Sequence, residues 1–372
     1  MIYFLLIIST LYALFTLTLW LTWRRLPTLR PATETAEPSI TVIIPVRNEA
    51  DNLTRLLNDL NRQTYDRFAV IVADDASTDA TLALAQAYVG QARFPLTVLP
   101  LADTRVASPK KRAIRESIAL AQSDLIVTTD GDCRVGPHWL ERIARCYAQT
   151  GARLISGPVT FTRAAGPFAA LQTVEFASLI GSGACTLALG YPTMCNGANL
   201  AYERAAFTAV GGFAGVDHLA SGDDEFLMHK IARHFPGGVR FLNDADATVE
   251  TGPHASLRAF YQQRKRWASK WRAYESWGPS VLAVFVFLSN LAPVVALIGW
   301  AAGLLPGAMA GGVVALKVVP EFLFLRQVLL FLRRKAAVAW IPLTQLIYPF
   351  YVIFFGLAAQ GKGFQWKGRD LT

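Results

Sequence analysis

The stretch ITVIIPVRNEADNLTRLLNDLNRQTYDRFAVIVADD, residues 40–75, decides the fold. Its two ends, ITVIIPV (40–46) and AVIVADD (69–75), are short runs rich in β-branched residues and read as buried strands. Between them Leu53, Leu56, Leu57 and Leu60 recur at helical spacing. Strand, helix and strand in this order predict a right-handed crossover between parallel neighbours. The pattern continues outward in LTVLP (96–100), DLIVTTD (124–130) and RLISGPV (153–159). The expected fold of residues 39–252 is α/β with a mixed, mostly parallel sheet, and a ligand crevice is expected at the carboxyl ends of its strands.

Beyond this region the chain changes character. Hydrophobic residues make up 53% of the sequence and charged ones 17%, and the mean hydropathy is +0.32. Soluble domains carry about 25% charged residues, so the apolar excess needs a home other than a watery surface. Ile2 to Trp23 is uncharged and runs into Arg24 and Arg25. At about 1.5 Å per residue it reaches roughly 33 Å, enough to cross a bilayer. It lacks the leading charge of a signal peptide and is too long for one. The arginine pair predicts that residue 24 onward is cytoplasmic. A proline-bearing linker (26–38) precedes the α/β region.

After that region, Ser256 to Trp277 is dense in arginine and lysine, with Phe260, Tyr261, Arg264, Trp267, Trp271 and Tyr274 recurring every three to four residues. This reads as a helix lying among lipid headgroups; a calmodulin-type or nucleic-acid helix is the alternative. Three apolar stretches come next: Ser276 to Leu316, broken by Pro293 and LPGAMAGG; Val313 to Leu332, carrying Lys317, Glu321 and Arg326; and Ala336 to Gly361. The expected organisation is a transmembrane helix (1–25), linker (26–38), catalytic domain (39–252), amphipathic interfacial helix (253–278) and C-terminal membrane region with a cytoplasmic tail (279–372). A cytoplasmic tail bearing Lys362, Lys367 and Arg369 requires the last stretch to be re-entrant, or one stretch to lie in the interface.

Several classes drop out. The net charge of +9, from 36 Lys and Arg against 27 Asp and Glu, raises nucleic acid as a partner. The basic residues cluster beside apolar runs instead, so none is expected. Cys133, Cys146, Cys185 and Cys195 form no CxxC pair and are too few for a disulfide scaffold. The histidines show no metal spacing. No GxGxxG, P-loop or GxSxG motif is present.

Acidic residues carry the remaining chemistry. Asp74, Asp75 and Asp79 end the second strand, where a turn or helix cap is the plainer reading. Asp130 and Asp132, at the end of another, would point to one side of an extended segment and suit a divalent cation with diphosphate oxygens. Gly131 between them would let a ligand approach the backbone. Asp223, Asp224 and Glu225 precede a helical FLMHKIARHF; they are either a charged helix start or a general base with its neighbours. On the basic helix Arg266 and Trp267 suit a diphosphate and a sugar face, or simply headgroup anchoring.

In order, VIIPVRNE (42–49), DDASTD (74–79), TTDGDC (128–133), GDDEFL (222–227) and QRKRW (263–267) resemble the membrane-bound glycosyltransferase family 2. That group includes cellulose, hyaluronan and poly-N-acetylglucosamine synthases and ceramide glucosyltransferases. The resemblance implies a GT-A (Rossmann-like) nucleotide-sugar domain between N- and C-terminal transmembrane helices. It implies that Pro45, Asn48, Glu49, Asp74 and Asp75 bind the nucleoside, and that Lys110 or Lys111 approaches the nucleotide. Asp130 would lie near the ribose and diphosphate, and Asp132 would hold Mg2+ or Mn2+. Asp224 would be the catalytic base, with Asp223 in place of the family's Glu. Gln263, Arg266 and Trp267 would close over diphosphate and acceptor, joined by Asp223 and Cys195 on the acceptor side. The implied reaction is an inverting transfer from a nucleotide-sugar, a UDP-sugar by preference, to a membrane-associated acceptor. A lipid acceptor is favoured, and a processive polysaccharide synthase is the alternative. The expected location is a bacterial plasma membrane, with the enzyme multi-pass and its catalytic domain cytoplasmic. A scaffold that has lost catalysis is disfavoured by the joint presence of Asp75, Asp130, Asp132, Asp224 and Arg266.

Overall fold

The computed structural model describes residues 2–30, 37–104, 106–219, 221–268, 278–358, 364–366 and 369–371. Along the chain, α1 (Ile2–Arg24) precedes β1 (Ile40–Val46), α2 (Leu53–Leu60), β2 (Phe68–Asp74), α3 (Thr81–Tyr88), β3 (Leu96–Pro100), α4 (Pro109–Leu120), β4 (Leu125–Thr128) and α5 (Trp139–Thr150). Next come β5 (Leu154–Ser156), β6 (Val159–Phe161), α6 (Pro167–Ala188), β7 (Leu200–Glu203), α7 (Arg204–Ala209), α8 (Glu225–His234), β8 (Val239–Phe241) and β9 (Val249–Thr251). The chain continues through α9 (Leu257–Ala268), α10 (Gly278–Ala301), α11 (Gly307–Phe331) and α12 (Ile341–Ala358). It divides into two compact units. A sheet unit comprises Leu26–Arg163, Thr186–Gly252 and Gln365–Thr372, and a helical unit comprises Met1–Arg25, Ala164–Cys185 and Pro253–Phe364.

The sheet unit is built on a seven-stranded sheet in the order β3-β2-β1-β4-β7-β5-β8. β1 pairs in parallel with β2 and β4, β2 with β3, and β5 with β8; β7 runs antiparallel between β4 and β5. The sheet is therefore mixed and mostly parallel. All residues of β1 except Pro45 are buried, as expected of a strand covered on both faces. Leu53, Leu56, Leu57 and Leu60 of α2 are buried as their spacing predicts. Each such leucine contributes about 1.5–3 kcal/mol when withdrawn from water.

Two local expectations change. The run RLISGPV forms two strands in two sheets, because β5 ends at Ser156 and β6, which pairs with β9, begins at Val159. The break falls at Gly157 and Pro158. Pro158 has no N–H for a ladder, and a Cβ on Gly157 would lie 2.3 Å from the Asn199 side chain. β4 stops at Thr128, and the Cys133 N–H closes a turn on the Asp130 carbonyl at 3.1 Å. The alternation argument for Asp130 and Asp132 fails there, because it holds only for extended backbone.

Among the described residues of the helical unit, four helices are long and apolar enough to cross a membrane: Tyr3–Arg24, Ser280–Ala301, Gly307–Phe331 and Lys335–Phe355. Pro293 does not break the first C-terminal stretch but lies inside α10, and α11 begins within the LPGAMAGG turn. Two of the three charges of α11, Lys317 and Glu321, are matched to each other, and Arg326 is exposed. The Lys317 ammonium donates to both Glu321 oxygens at 2.8 Å, and the Tyr12 hydroxyl of α1 donates to Oε1 at 2.6 Å. Gln345 of α12 donates to the Val318 carbonyl at 2.8 Å. Ionisable groups at membrane depth require such partners. Of the predicted interfacial helix, Leu257–Ala268 is helical; Lys270, Trp271 and Tyr274 fall outside the described residues, as do linker positions 31–36 and tail residues Lys362 and Lys367.

Candidate active site

The carboxyl ends of β1, β2 and β4 carry the first group of predicted residues. Asp75 continues the ladder, its N–H donating to the Val46 carbonyl at 2.9 Å. Its carboxylate is buried and takes a hydrogen bond from Arg112 Nη2 at 2.6 Å. Arg112 also reaches the Ala102 carbonyl at 3.0 Å and the Thr104 hydroxyl, so α4 braces this aspartate. Asp74 is likewise buried: Oδ2 accepts from the Ser77 N–H at 3.1 Å, and Oδ1 has no partner among the described residues.

Asn48, exposed, sits in the left-handed region at φ 54°, which asparagine tolerates better than most residues. Its N–H donates to the Ser77 hydroxyl at 3.0 Å, and its Oδ1 accepts from the Thr78 N–H at 2.8 Å. The loops after β1 and β2 are thereby stitched together. Glu49 is buried, its carboxylate accepting from Asn52 at 2.9 Å, and Pro45 is half-buried.

The second group gathers around one lysine. Lys110 Nζ lies 2.7 Å from Asp130 Oδ1 and 3.3 Å from Asp223 Oδ2. Burial works to lower the proton affinity of this ammonium; Asp130 and Asp223 overcome that, so it holds its proton well above the ordinary lysine range. Asp224 is the next residue after Asp223 and the N-cap of α8. Its Oδ1 accepts from the Glu225 N–H at 2.7 Å and its Oδ2 from the Gly197 N–H at 3.0 Å. The helix-start reading of this acidic segment holds for the Asp224 side chain. Gly197 completes the group: a Cβ there would lie 3.2 Å from Asp223 Oδ2 and 3.3 Å from Lys110 Nζ. The Thr128 hydroxyl of β4 holds the Gly197 carbonyl at 2.9 Å.

Sequence reasoning named Cys195 in this segment, whereas Gly197 is the residue beside the carboxylates. Cys195 is half-buried and packs against the core cluster of Ile43, Leu200 and Tyr202. Gly131 serves packing: a Cβ would meet Val46 Cγ1 at 2.8 Å and the Glu49 side chain at 3.0 Å.

Asp132 is exposed on the turn after β4, and Thr251 of β9 donates to it at 3.4 Å. Among the described residues no three His, Cys, Asp or Glu side chains form a cation cage. One accessible carboxylate fits a hard cation that takes most of its oxygens from phosphates, so these residues suit a cation delivered with a phosphorylated ligand.

Gln263, Arg266 and Trp267 belong to the helical unit, half-buried on α9. Trp267 stacks on Phe176 of α6, with ring centres 6.2 Å apart. Arg264, counted from the sequence among the charges of a headgroup-plane helix, is instead buried. Arg264 Nε donates to Glu175 Oε1 at 2.9 Å, and Nη2 donates to Oε2. Tyr351 of α12 donates to the same carboxylate at 2.9 Å. The guanidinium lies 4.3 Å from the Trp267 ring centre and 4.6 Å from that of Phe260. No spacing rule links positions 175 and 264, so sequence offered no signal for the pair. Replacing Glu175 with Gln strands a buried arginine charge, at a cost of about 3–5 kcal/mol. Thermal unfolding in detergent should show a much lower midpoint for Glu175→Gln than for the exposed control Arg258→Gln.

A profile of the family described as glycosyl transferase family 21 matches residues 1–372. Among curated proteins, the chain is similar to the glycosyltransferase AglE of Haloferax volcanii: 31% identity over 189 residues, covering 50% of this chain and 59% of that protein. It is also 31% identical over 120 residues to validoxylamine A glucosyltransferase of Streptomyces hygroscopicus, covering 32% of this chain and 28% of the relative. The chain thus spans less than two thirds of the length of each of these relatives. Among solved structures, it resembles the mannosyltransferase PcManGT of Pyrobaculum calidifontis in complex with GDP-Man and Mn2+. The TM-score is 0.56 at 19% identity, covering 93% of this chain and 99% of that one, and the shared fold is the expected GT-A type.

Proposed function

The chain belongs to glycosyl transferase family 21, and on that premise we propose that it moves a sugar from a nucleotide-sugar, a UDP-sugar in our reading, to a membrane-associated lipid. The observation that carries this reading is the Lys110 bridge between Asp130 and Asp223, with Asp224 adjoining. Two motifs far apart in sequence, TTDGDC and GDDEFL, meet there through Lys110 of α4, at the strand ends where an α/β sheet binds ligands. PcManGT was solved with a nucleotide-sugar, GDP-Man, which supports a donor of that class.

In this reading Asp75, braced by Arg112, accepts from the nucleobase, and Asn48 and Glu49 shape the loop around it. Asp224 takes the proton of the acceptor hydroxyl as that oxygen attacks the anomeric carbon. A single displacement with no protein nucleophile inverts the anomeric configuration. A divalent cation, when bound through Asp132, supplies Lewis-acid neutralisation of the diphosphate. Gln263, Arg266 and Trp267 are assigned to the diphosphate and acceptor from the QxxRW resemblance alone. Four helices able to cross a membrane support an acceptor that resides there, and Arg24–Arg25 support a cytoplasmic sheet unit.

The test is a screen of nucleotide sugars with detergent-solubilised protein, followed by mass analysis of extracted lipids and polysaccharide. One added hexose or N-acetylhexosamine on a lipid is the expected product. A ladder of polymers would replace the lipid reading with a processive synthase, and no transfer from any nucleotide sugar would overturn the enzyme itself.

A further inference from the structure

Lys111 is the neighbour of Lys110 on α4, yet its ammonium faces a different set of atoms. Nζ donates to three backbone carbonyls: Val216 at 2.6 Å, Leu219 at 2.8 Å and Ser221 at 3.1 Å. The residue is only 1% exposed. An ammonium has three donors, and withdrawing it from water is costly unless they are satisfied. Here one loop offers an acceptor for each.

That loop leads straight into the acidic segment. After Ser221 the chain passes Gly222 at φ 80°, then Asp223 and Asp224. A Cβ on Gly222 would lie 2.5 Å from the Phe226 ring, and the Lys111 ammonium stands 5.8 Å from the centre of that ring. Lys111 and Phe226 thus pack at the two ends of the turn that presents Asp224. The two lysines divide their work: Lys110 touches carboxylates, whereas Lys111 ties down the backbone that delivers them.

We propose that Lys111 is a positioning residue, a built-in cation that ties down the carbonyls of Val216, Leu219 and Ser221 and so sets the carboxylate of Asp224. The proposal rests on the reading of Asp224 as the base. Lys111 itself makes no contact with the reacting atoms, and no bond is made or broken at it. A misplacement of about 1 Å at a reacting group can cost on the order of 100-fold in rate, which bounds the effect.

The test uses the full-length chain in detergent with the donor and lipid extract that support transfer. Lys111→Met should lower kcat by about 10- to 100-fold and leave the donor KM within about threefold, since it removes orientation rather than donor binding. Lys111→Ala should regain part of that rate on adding methylammonium or ethylammonium, which fit a cradle of carbonyls. A donor KM raised at unchanged kcat would make Lys111 a donor ligand and overturn the proposal, as would a parental kcat in Lys111→Met. If neither variant folds, Phe226→Leu loosens the other end of the same turn and should lower kcat in the same selective way; a parental kcat there overturns the proposal. Asp224→Asn, assayed alongside, separates the two ideas. Should that variant transfer sugar at the parental rate, the base reading fails whatever Lys111 does.

Discussion

Asp224→Asn should transfer sugar about 100- to 10,000-fold more slowly than the parent, the range that a positioned general base supplies. The side chain is fixed from both sides, by the Glu225 N–H at 2.7 Å and the Gly197 N–H at 3.0 Å. Asparagine offers one carbonyl oxygen where aspartate offers two, so one of these N–H groups would face an NH2 instead. The cap of α8 changes little, because asparagine caps a helix about as well as aspartate, so loss of the proposed proton acceptor dominates. Initial rates at saturating donor, together with the unfolding midpoint, distinguish the two effects. A rate within a few-fold of parent in a folded variant would remove Asp224 from the mechanism.

The second large effect is expected at Asp132. Its partner in the Asp-Gly-Asp segment, Asp130, is engaged by Lys110 at 2.7 Å, whereas Asp132 is exposed on the turn. Lewis-acid stabilisation of a departing diphosphate is worth several kcal/mol, and each 1.36 kcal/mol is tenfold in rate. Asp132→Asn should therefore lose about 100-fold or more, and the Mn2+ or Mg2+ concentration giving half-maximal rate should rise. Stripping the parent with a chelator should abolish transfer, with either cation restoring it. Parental activity that survives chelation would overturn the role given to Asp132.

Local features of this chain were legible because they depend on spacing. The leucines of α2 and the β-branched runs of β1 and β2 follow periodicities of 3.6 and 2, and they occupy the elements those periods predict. Strand β7 lacked such a signal: LAYE is short, and its antiparallel place between β4 and β5 is a tertiary fact. The division of RLISGPV at Gly157 follows from Asn199, more than forty residues away. The same holds for the site. Its acids stood out as motifs, but the groups that orient them did not. Arg112 on Asp75, Gly197 beside Asp223 and Lys111 on three loop carbonyls are contacts between distant segments. The turn at Asp130–Cys133 shows the converse hazard, since a two-residue alternation was extended past the end of its strand.

The ion pair within α11 bears on how the apolar helices depend on one another. Lys317 and Glu321 stand one turn apart at 2.8 Å, so each is the other's counter-ion, and Arg326 leaves the helix with a net charge of one. The Tyr12 hydroxyl that meets Glu321 at 2.6 Å comes from α1, and the Gln345 amide that meets it at 3.4 Å comes from α12. Donors from two other helices thus clamp the one carboxylate, and losing either helix would leave it short of a hydrogen bond in apolar surroundings.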